Sequence, residues 1–440
     1  MKKTLLAITA ASALLAASVH ANEKPASAPK RNPLPEFITD ENSATLDQAA
    51  KELRAAQGDE RNVARQLANY ARFEFSPELR PKLKAIFGSE RPLPMQRAPD
   101  SKGQINYVAT LAPYLWVQGN GTDFSWSELS AKVSTDKAGR SMNVDASWPS
   151  LVIARQEGSM GVRDMRMTSR LQYGADGMGY GTTTFGIASI TVREVAVGGR
   201  EAAELMRFED MQARSQSVRR GAMVDIGYRS SIKAIVFGAE RVERTSFAFR
   251  LTNIPVKAMA ELEKDMRDQK IGQLAPEAQV QLTLRKVTDF GKRVAKAGAT
   301  LYIDDLSAAY RGNTASLKGS LTFHKVVDAD FDNVTALMKK LVARFSLRLP
   351  VALVRDVGRA LAAKSVNPDA PDAARQIDAG ADGLVSMVVG KAVSGGYAVV
   401  EKDELRSMIE FRNGRLTVNG QVLDLQKVNF GGKPSEQGKE

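Results

Sequence analysis

The chain of 440 residues contains no cysteine and only 2 histidines. Without thiols it can form no disulfide, no thiolate nucleophile and no lipid-modified cysteine. Zinc sites take most of their ligands from cysteine and histidine, so a site of that type is excluded as well. We expect neither a metal nor another cofactor, and a cysteine-free chain suits an oxidising compartment.

Long apolar runs are also scarce, and the main one lies at the N-terminus. Lys2 and Lys3 precede an apolar run over residues 5–17, and Val19-His20-Ala21 supplies the small residues that a signal peptidase needs. This run is shorter than the about 20 residues that span a bilayer. We predict a signal peptide over residues 1–21, cleaved after Ala21, and a periplasmic location. The alternative is an uncleaved N-terminal helix that anchors the protein in the inner membrane.

The charge balance is strongly basic. The formal net charge of +12 falls to +10 when Lys2 and Lys3 leave with the signal peptide. A basic exported protein meets anionic envelope components such as lipid headgroups rather than nucleic acid. Peripheral membrane contact and a homodimer stay open, and the alternative is a solvated basic surface with no specific partner.

Composition and periodicity divide the chain into segments. Apolar residues at helical spacing, such as Leu46 and Leu53, are followed beyond the prolines at 92, 94 and 99 by alternating patterns typical of strands. This predicts an α+β fold, a helical N-terminal region followed by a large antiparallel β-sheet assembly with covering helices. The predicted segments are a signal peptide (1–21), a flexible leader (22–35), a helical region (36–90), a linker (91–104), a β-rich domain (105–430) and a disordered tail (431–440).

The stretch GADGMGYG at residues 174–181 resembles a phosphate-binding loop in its glycine content. However, Met165, Met167 and Leu171 alternate with polar residues before it, and a second strand pattern with Phe185 and Ile187 follows it. A dinucleotide fingerprint requires a helix after the glycines. The pattern therefore favours a hairpin turn.

The only histidine beyond the signal segment, His324, lies in a strand pattern on the side predicted to face solvent. It could act as a base only if a nucleophile such as Ser320 or Thr322 and an orienting acid such as Asp304 converged on it. We favour an exposed histidine without a catalytic role.

Asp328, Asp330 and Asp332 are spaced like the start of a calcium loop. The match fails at the sixth position, where Asn333 replaces glycine, and at the twelfth, where Lys339 replaces glutamate. We predict instead that Asp330 or Asp332 caps the following helix.

All three tryptophans, Trp116, Trp126 and Trp148, lie near Asp123 and Glu128. Tryptophan is a good platform for sugars, and a carboxylate pair can hydrolyse glycosides. However, Asp123 and Trp126 are three residues apart in a strand and therefore face opposite sides. A carboxylate-based wall hydrolase is kept as an alternative.

Two segments, SFAFRLTNIPVKAM and RFSLRLPVALV, suggest a strand, proline and helix unit that is used twice. The helix after Pro350 carries Arg355, Arg359 and Lys364 opposite an apolar stripe. Such a helix could lie on an anionic bilayer, but packing on a sheet explains the same stripe and is favoured.

Five segments resemble the YdgA-like family of Gram-negative envelope proteins, a domain of unknown function. They are APYLWVQGNGTDFSWSEL, GMGYGTTTFGIASITV, FAFRLTNIP, FSLRLPVALV and FRNGRLTVNGQ, and the resemblance spans roughly Tyr107 to Leu425. These motifs are structural and imply no activity. Relatives with an N-terminal anchor helix differ from this chain, where cleavage is predicted.

We predict that the protein is not an enzyme and that it has no catalytic, cofactor-binding or metal-binding residues. Its expected role is binding or scaffolding in the envelope, with a lipid or another apolar ligand on the sheet. An assembly partner for another envelope protein is a further alternative.

Overall fold

A computed structural model of the protein describes residues 38–57, 60–101, 103–194, 203–267 and 276–423. The predicted signal peptide, leader and tail lie outside these residues. The chain divides into two compact units, Met1–Ser159 and Met160–Glu440. This division falls at 159/160, whereas the sequence suggested a boundary within residues 91–104.

The first unit begins with three helices. Asn62 caps the second by accepting a hydrogen bond from the Arg65 amide at 3.1 Å, and Gly88, with φ of 71°, ends the third. Residues 77–79 form a separate turn directly before the third helix. The helices are α1 (Asp40–Gln57), α2 (Val63–Arg72) and α3 (Arg80–Phe87).

Six antiparallel strands follow, and the first of them, Met95–Ser101, occupies half of the stretch that was expected to be a linker. Pro99 lies in this strand, which pairs only with β2 among the described strands and has an irregular register between Ala98 and Ser101. Proline is tolerated on such an edge because its missing N–H is not needed by a neighbour. The strands are β1 (Met95–Ser101), β2 (Gln104–Leu111), β3 (Tyr114–Val117), β4 (Thr122–Trp126), β5 (Leu129–Asp136) and β6 (Ser141–Arg155), paired in the order β1-β2-β5-β6-β4-β3.

The second unit contains a longer antiparallel sheet, and one of its hairpins turns at Asn413-Gly414. Consecutive strands pair from β8 to β14, β14 then pairs with β16, and Thr168 and Thr184 hydroxyls link β7 to β8. The predicted large antiparallel sheet is thus confirmed. The strands are β7 (Gly158–Tyr173), β8 (Gly179–Glu194), β9 (Glu204–Arg220), β10 (Met223–Phe237), β11 (Glu240–Pro255), β12 (Thr300–Tyr310), β13 (Asn313–Phe323), β14 (Leu341–Pro350), β15 (Val399–Glu401), β16 (Glu404–Arg412), β17 (Arg415–Val418) and β18 (Gln421–Leu423).

The predicted repeat is present and extends beyond the strand, proline and helix. In each copy a strand ends at a proline, two helices follow, and a later strand returns antiparallel to the first, so that β11 pairs with β12 and β14 with β16. The first helical amide donates to a turn carbonyl at 2.9 Å in both copies, Val256 to Ala222 and Val351 to Asp403. The helices are α4 (Val256–Arg267) and α5 (Pro276–Lys296) in the first copy, then α6 (Val334–Lys340), and α7 (Val351–Ala363) and α8 (Ala373–Ser394) in the second copy.

Candidate functional site

The glycine-rich stretch forms the turn between β7 and β8. The Gly174 amide donates to the Met178 carbonyl at 3.0 Å, and the Gly177 amide donates to the Gly174 carbonyl at 2.9 Å. Strand β8 begins at Gly179, so no helix N-terminus is available for a phosphate. The predicted hairpin turn is confirmed.

His324 is exposed directly after β13, as predicted. The hydroxyl of Thr322 donates to the Ala299 carbonyl at 3.0 Å, and Arg250 holds the carboxylate of Asp304 through bonds of 2.7 and 2.8 Å. Thr322 and Asp304 are therefore engaged by partners other than His324 in the described structure.

The three aspartates of the calcium-like stretch form a short 3₁₀ helix, Asp328–Asp332. Asp328 pairs with Lys296 at 2.7 Å, while the Asp330 carboxylate accepts from the Val327 amide at 2.7 Å. The cap of α6 is Asn333, which accepts from the Ala336 amide at 3.1 Å, so the prediction of an aspartate cap was wrong by one position. Among the described residues, no group of three or more acidic or histidine side chains could hold a metal ion.

The tryptophans belong to the core of the first unit. Trp116 and Trp126 are buried in one cluster with Ile86, and Trp148 packs against it. The indole N–H of Trp126 donates to the Ala112 carbonyl at 3.0 Å. Side chains packed in this way offer no flat surface to a sugar, which weakens the hydrolase alternative.

The basic helix α7 packs against α8. Arg355 pairs with Asp382 at 2.5 Å, and the Arg359 Nε lies 2.7 Å from an oxygen of Asp378. A Cβ on Gly358 would lie 3.0 Å from the Cα of Ala381, so the two helices are in close contact. Because its arginines are neutralised within the hairpin, the packed interpretation is favoured over a helix that lies on a membrane.

The sheet of the second unit carries an apolar patch that we call the floor. Its residues are joined by cross-strand pairing, with Tyr228 opposite Phe249 and Phe247 opposite Leu306. Phe247 is 38% exposed and Leu306 is 42% exposed. The floor consists of Tyr228, Phe247, Phe249, Ile303, Leu306 and Leu317.

Helices cover the same face at two opposite ends of the floor. Leu251, two residues beyond Phe249 and therefore on its side of the sheet, packs against the same buried cluster as Phe290 of α5. At the other end, the side-chain amide of Asn313 donates a hydrogen bond to the carboxylate of Asp356 in α7 at 3.0 Å. Strands β11 and β14 run in opposite directions, so each places its helix pair at a different end and leaves the floor between them.

The opposite face of the sheet is polar and basic. Thr184 of β8 lies opposite Arg214 of β9, and Arg214 lies opposite Arg229 of β10. The Thr168 hydroxyl contacts that of Thr184 at 2.5 Å, which adds a residue of β7. We call Thr168, Thr184, Arg214 and Arg229 the arginine row. Sequence analysis did not single it out, although the two-residue turn at residues 221–222 could have fixed the register.

On the same polar face, Arg250 and Asp304 form a two-bond ion pair. The hydrogen bonds from Arg250 hold the pKa of Asp304 below its usual range. Since this pKa is lower in the folded than in the unfolded chain, the stabilisation is present above the ordinary aspartate pKa and is lost as the pH falls through the lower folded value.

We therefore expect Asp304→Asn to reduce the acid dependence of stability below about pH 4, by up to about 1 kcal/mol, the range of exposed ion pairs. Urea unfolding at a series of pH values measures this effect. Asp305→Asn is the matched control, because its carboxylate accepts only a hydrogen bond from the Ser307 hydroxyl among the described contacts. Equal pH slopes for the wild type and Asp304→Asn would contradict the assignment.

Two open cavities lie in the first unit. One, of about 500 Å³, is lined by the β3–β4 turn and by Arg155, Gln156 and Glu157, and the other, of about 360 Å³, lies beside Pro99 and Lys132. Neither includes a floor residue. A ligand of the floor would therefore lie on an open face rather than in an enclosed cavity.

A family model described as a bacterial protein of unknown function, DUF945, matches residues 66–426. The chain belongs to this family. The match begins within α2, so it reaches further toward the N-terminus than the resemblance seen in the sequence, and it contains the floor and the arginine row. No curated protein and no solved structure matches the chain significantly. None of the described helices is both long and apolar enough to cross a membrane.

Proposed function

We propose that this DUF945 protein is a non-enzymatic binding protein of the Gram-negative envelope, of the YdgA-like type, whose ligand is an apolar chain such as a lipid acyl chain. The floor is the observation that carries the proposal. Its aromatic rings lie 5.4 to 6.3 Å apart and remain partly open to solvent between two helix pairs. Burying such a surface under an acyl chain is favourable, at about 25 cal/mol per Å².

The length of the face suits an extended ligand. Nine residues separate Leu251, at the covered end, from Val242, which pairs with Tyr310 at the other end. At about 3.4 Å per residue this is roughly 30 Å, part of which the helix pairs occupy. Strands with partly exposed aromatic residues can therefore hold one chain across their face.

Helix α5 adds apolar surface next to the covered end. Phe290 and Val294 pack on the sheet, and the same stripe continues through Leu284 and Val287, which stay exposed. An exposed stripe of this kind is expected where a ligand or a partner completes the packing.

We expect protein purified from the periplasm without detergent to carry lipid. Its intact mass should equal that of a chain that begins at Asn22. In the double variant Phe247→Thr and Leu306→Thr, affinity for a fluorescent fatty acid should fall at least about tenfold, since a loss of about 1.4 kcal/mol of burial is a factor of ten. Native mass spectrometry detects the bound lipid and the mass of the chain, and a displacement titration measures the affinity for the fatty acid.

Phe237→Thr is the matched control, because Phe237 is 57% exposed at the end of β10 and lies outside the floor. It should bind like the wild type. Absence of bound lipid together with absence of exchange from labelled vesicles would refute the lipid proposal. Muropeptide digestion by the mature chain, abolished by Asp123→Asn with Glu128→Gln, would establish the hydrolase instead.

A further inference from the structure

We propose that the polar face of the second sheet docks on an anionic phospholipid bilayer and recognises its phosphate groups through the arginine row. This site is independent of the floor, because the two lie on opposite faces of the same sheet. The excess positive charge of the chain then has a target, the phosphate groups of the bilayer. The polar face of the second sheet is the surface that contacts the membrane.

Arg214 and Arg229 form a like-charge pair that no carboxylate of the described residues bridges. The Asp304 carboxylate is hydrogen-bonded to Arg250, which lowers its pKa, and the charge of Arg229 only adds to this shift. Arg214 and Arg229 lie directly opposite each other, an arrangement that destabilises a sheet through repulsion. Both side chains are exposed, and neither forms an ion pair with any residue in the described part of the chain. An external anion placed between the two guanidinium groups would remove the repulsion.

A comparison within the same sheet shows how the chain neutralises such a pair internally. Arg348 and Arg406 are also directly opposite each other, across β14 and β16. Glu404 contacts both of them, each at 2.8 Å. The hydrogen bonds from Arg348 and Arg406 keep the pKa of Glu404 below its usual range, so the bridging carboxylate is ionised near neutral pH. The arginine row has no equivalent of Glu404 among the described residues.

Exposed cations extend far across the polar face. Arg166 alternates onto the side of Thr168 in β7, while Lys318 follows the floor residue Leu317 in β13 and so points to the polar face. From β7 to β13 the exposed cations span six strand spacings, roughly 29 Å. One phosphate ion cannot reach cations that far apart, whereas the headgroups of a bilayer present phosphates across the whole distance.

The side chains of the polar face suit a lipid bilayer better than a nucleic acid. Single-stranded nucleic acid binds through aromatic platforms on which bases stack. On this face Tyr302 is covered by the Arg250 guanidinium, at 4.7 Å from the ring centroid. Headgroup phosphates need hydrogen-bond donors and positive charge, which arginines and threonine hydroxyls supply.

The test is a flotation assay of the full mature protein with phosphatidylglycerol-containing vesicles and with phosphatidylcholine vesicles. We expect binding only to the anionic vesicles, weakened by salt. Each cation near an anionic surface contributes about a fivefold factor, so Arg214→Gln with Arg229→Gln should lower vesicle affinity about 30-fold. The charge-preserving variant Arg214→Lys with Arg229→Lys should restore it to within about threefold.

Lys364→Gln with Lys391→Gln is the matched control. Both lysines are exposed on the α7–α8 helix pair, which covers the opposite face of the sheet, and their loss changes the net charge equally. The control should stay within about threefold of the wild type. Fatty-acid binding to the floor should be unchanged in the Arg214 and Arg229 variant, which also reports correct folding.

Several results would overturn the proposal. One is an equal loss of vesicle affinity in Arg214→Gln with Arg229→Gln and in the matched control. Others are equal binding to both kinds of vesicle, or tighter binding of a single-stranded oligonucleotide than of anionic vesicles. Saturable binding of inorganic phosphate that depends on Arg214 and Arg229, without any preference for anionic vesicles, would also replace the bilayer by a soluble ligand.

Discussion

Replacing Gly181 by alanine is expected to lower the free energy of unfolding of the second unit by about 3 kcal/mol or more. Gly181 lies in β8 with φ of 146°, a conformation that side chains rarely adopt. A Cβ at this position would lie 2.0 Å from the backbone oxygen of Arg170 in β7. Because backbone atoms form the obstacle, β7 and β8 would have to separate locally.

The matched control is Gly161→Ala, because Gly161 lies in β7 and a Cβ there meets no atom within 4 Å. It should be neutral or slightly stabilising, since alanine restricts the unfolded chain. Denaturant unfolding followed by far-ultraviolet circular dichroism gives both free energies. Hydrogen exchange should show the loss of protection in β7 and β8, and similar stabilities for the two variants would refute the close approach seen at Gly181.

Replacing Ile254 by alanine should lower the free energy of unfolding by about 2 to 5 kcal/mol, the range for large-to-small changes in a core. Ile254 is 0% exposed and packs with Met178, Val224 and Val256. It directly precedes the proline at which β11 ends and α4 begins. The cavity would therefore loosen the attachment of the first helix pair to the sheet.

Leu284→Ala is the comparison for Ile254→Ala, because Leu284 is 61% exposed on α5. This substitution should change the free energy of unfolding by no more than about 0.5 kcal/mol, since alanine also favours a helix. Hydrogen exchange of peptides from α4 and α5 should rise in Ile254→Ala alone. If both variants lost equal stability, the burial of Ile254 would not be what joins the helices to the sheet.

Local patterns predicted much of the fold correctly. The alternation around Met167 placed one side of β7 inside and the other in solvent, and the glycine-rich stretch at residues 174–181 was correctly assigned to a hairpin turn. The strand, proline and helix repeat was visible as two short similar segments. These features depend on residues close in sequence, so a single chain suffices to show them.

Predictions failed where a distant partner decides the outcome. The prolines near residue 99 suggested a linker, but β2 accepts that stretch as an edge strand. Asn333 took the cap that was predicted for Asp330 or Asp332, and the Asp330 carboxylate is engaged instead by the Val327 amide and by Lys340. The side chains that compete for a cap could not be identified before the turn was known.

The sequence by itself determined which side chains alternate, where the chain turns and which cofactor chemistries its composition lacks, because these depend on residue type and short-range spacing. Only the tertiary structure decided that Arg214 faces Arg229, that Phe247 faces Leu306 and that the helix pairs leave the floor between them. Register and coverage arise from contacts between strands and helices far apart in the chain, and a shift of one residue would exchange the two faces of a strand.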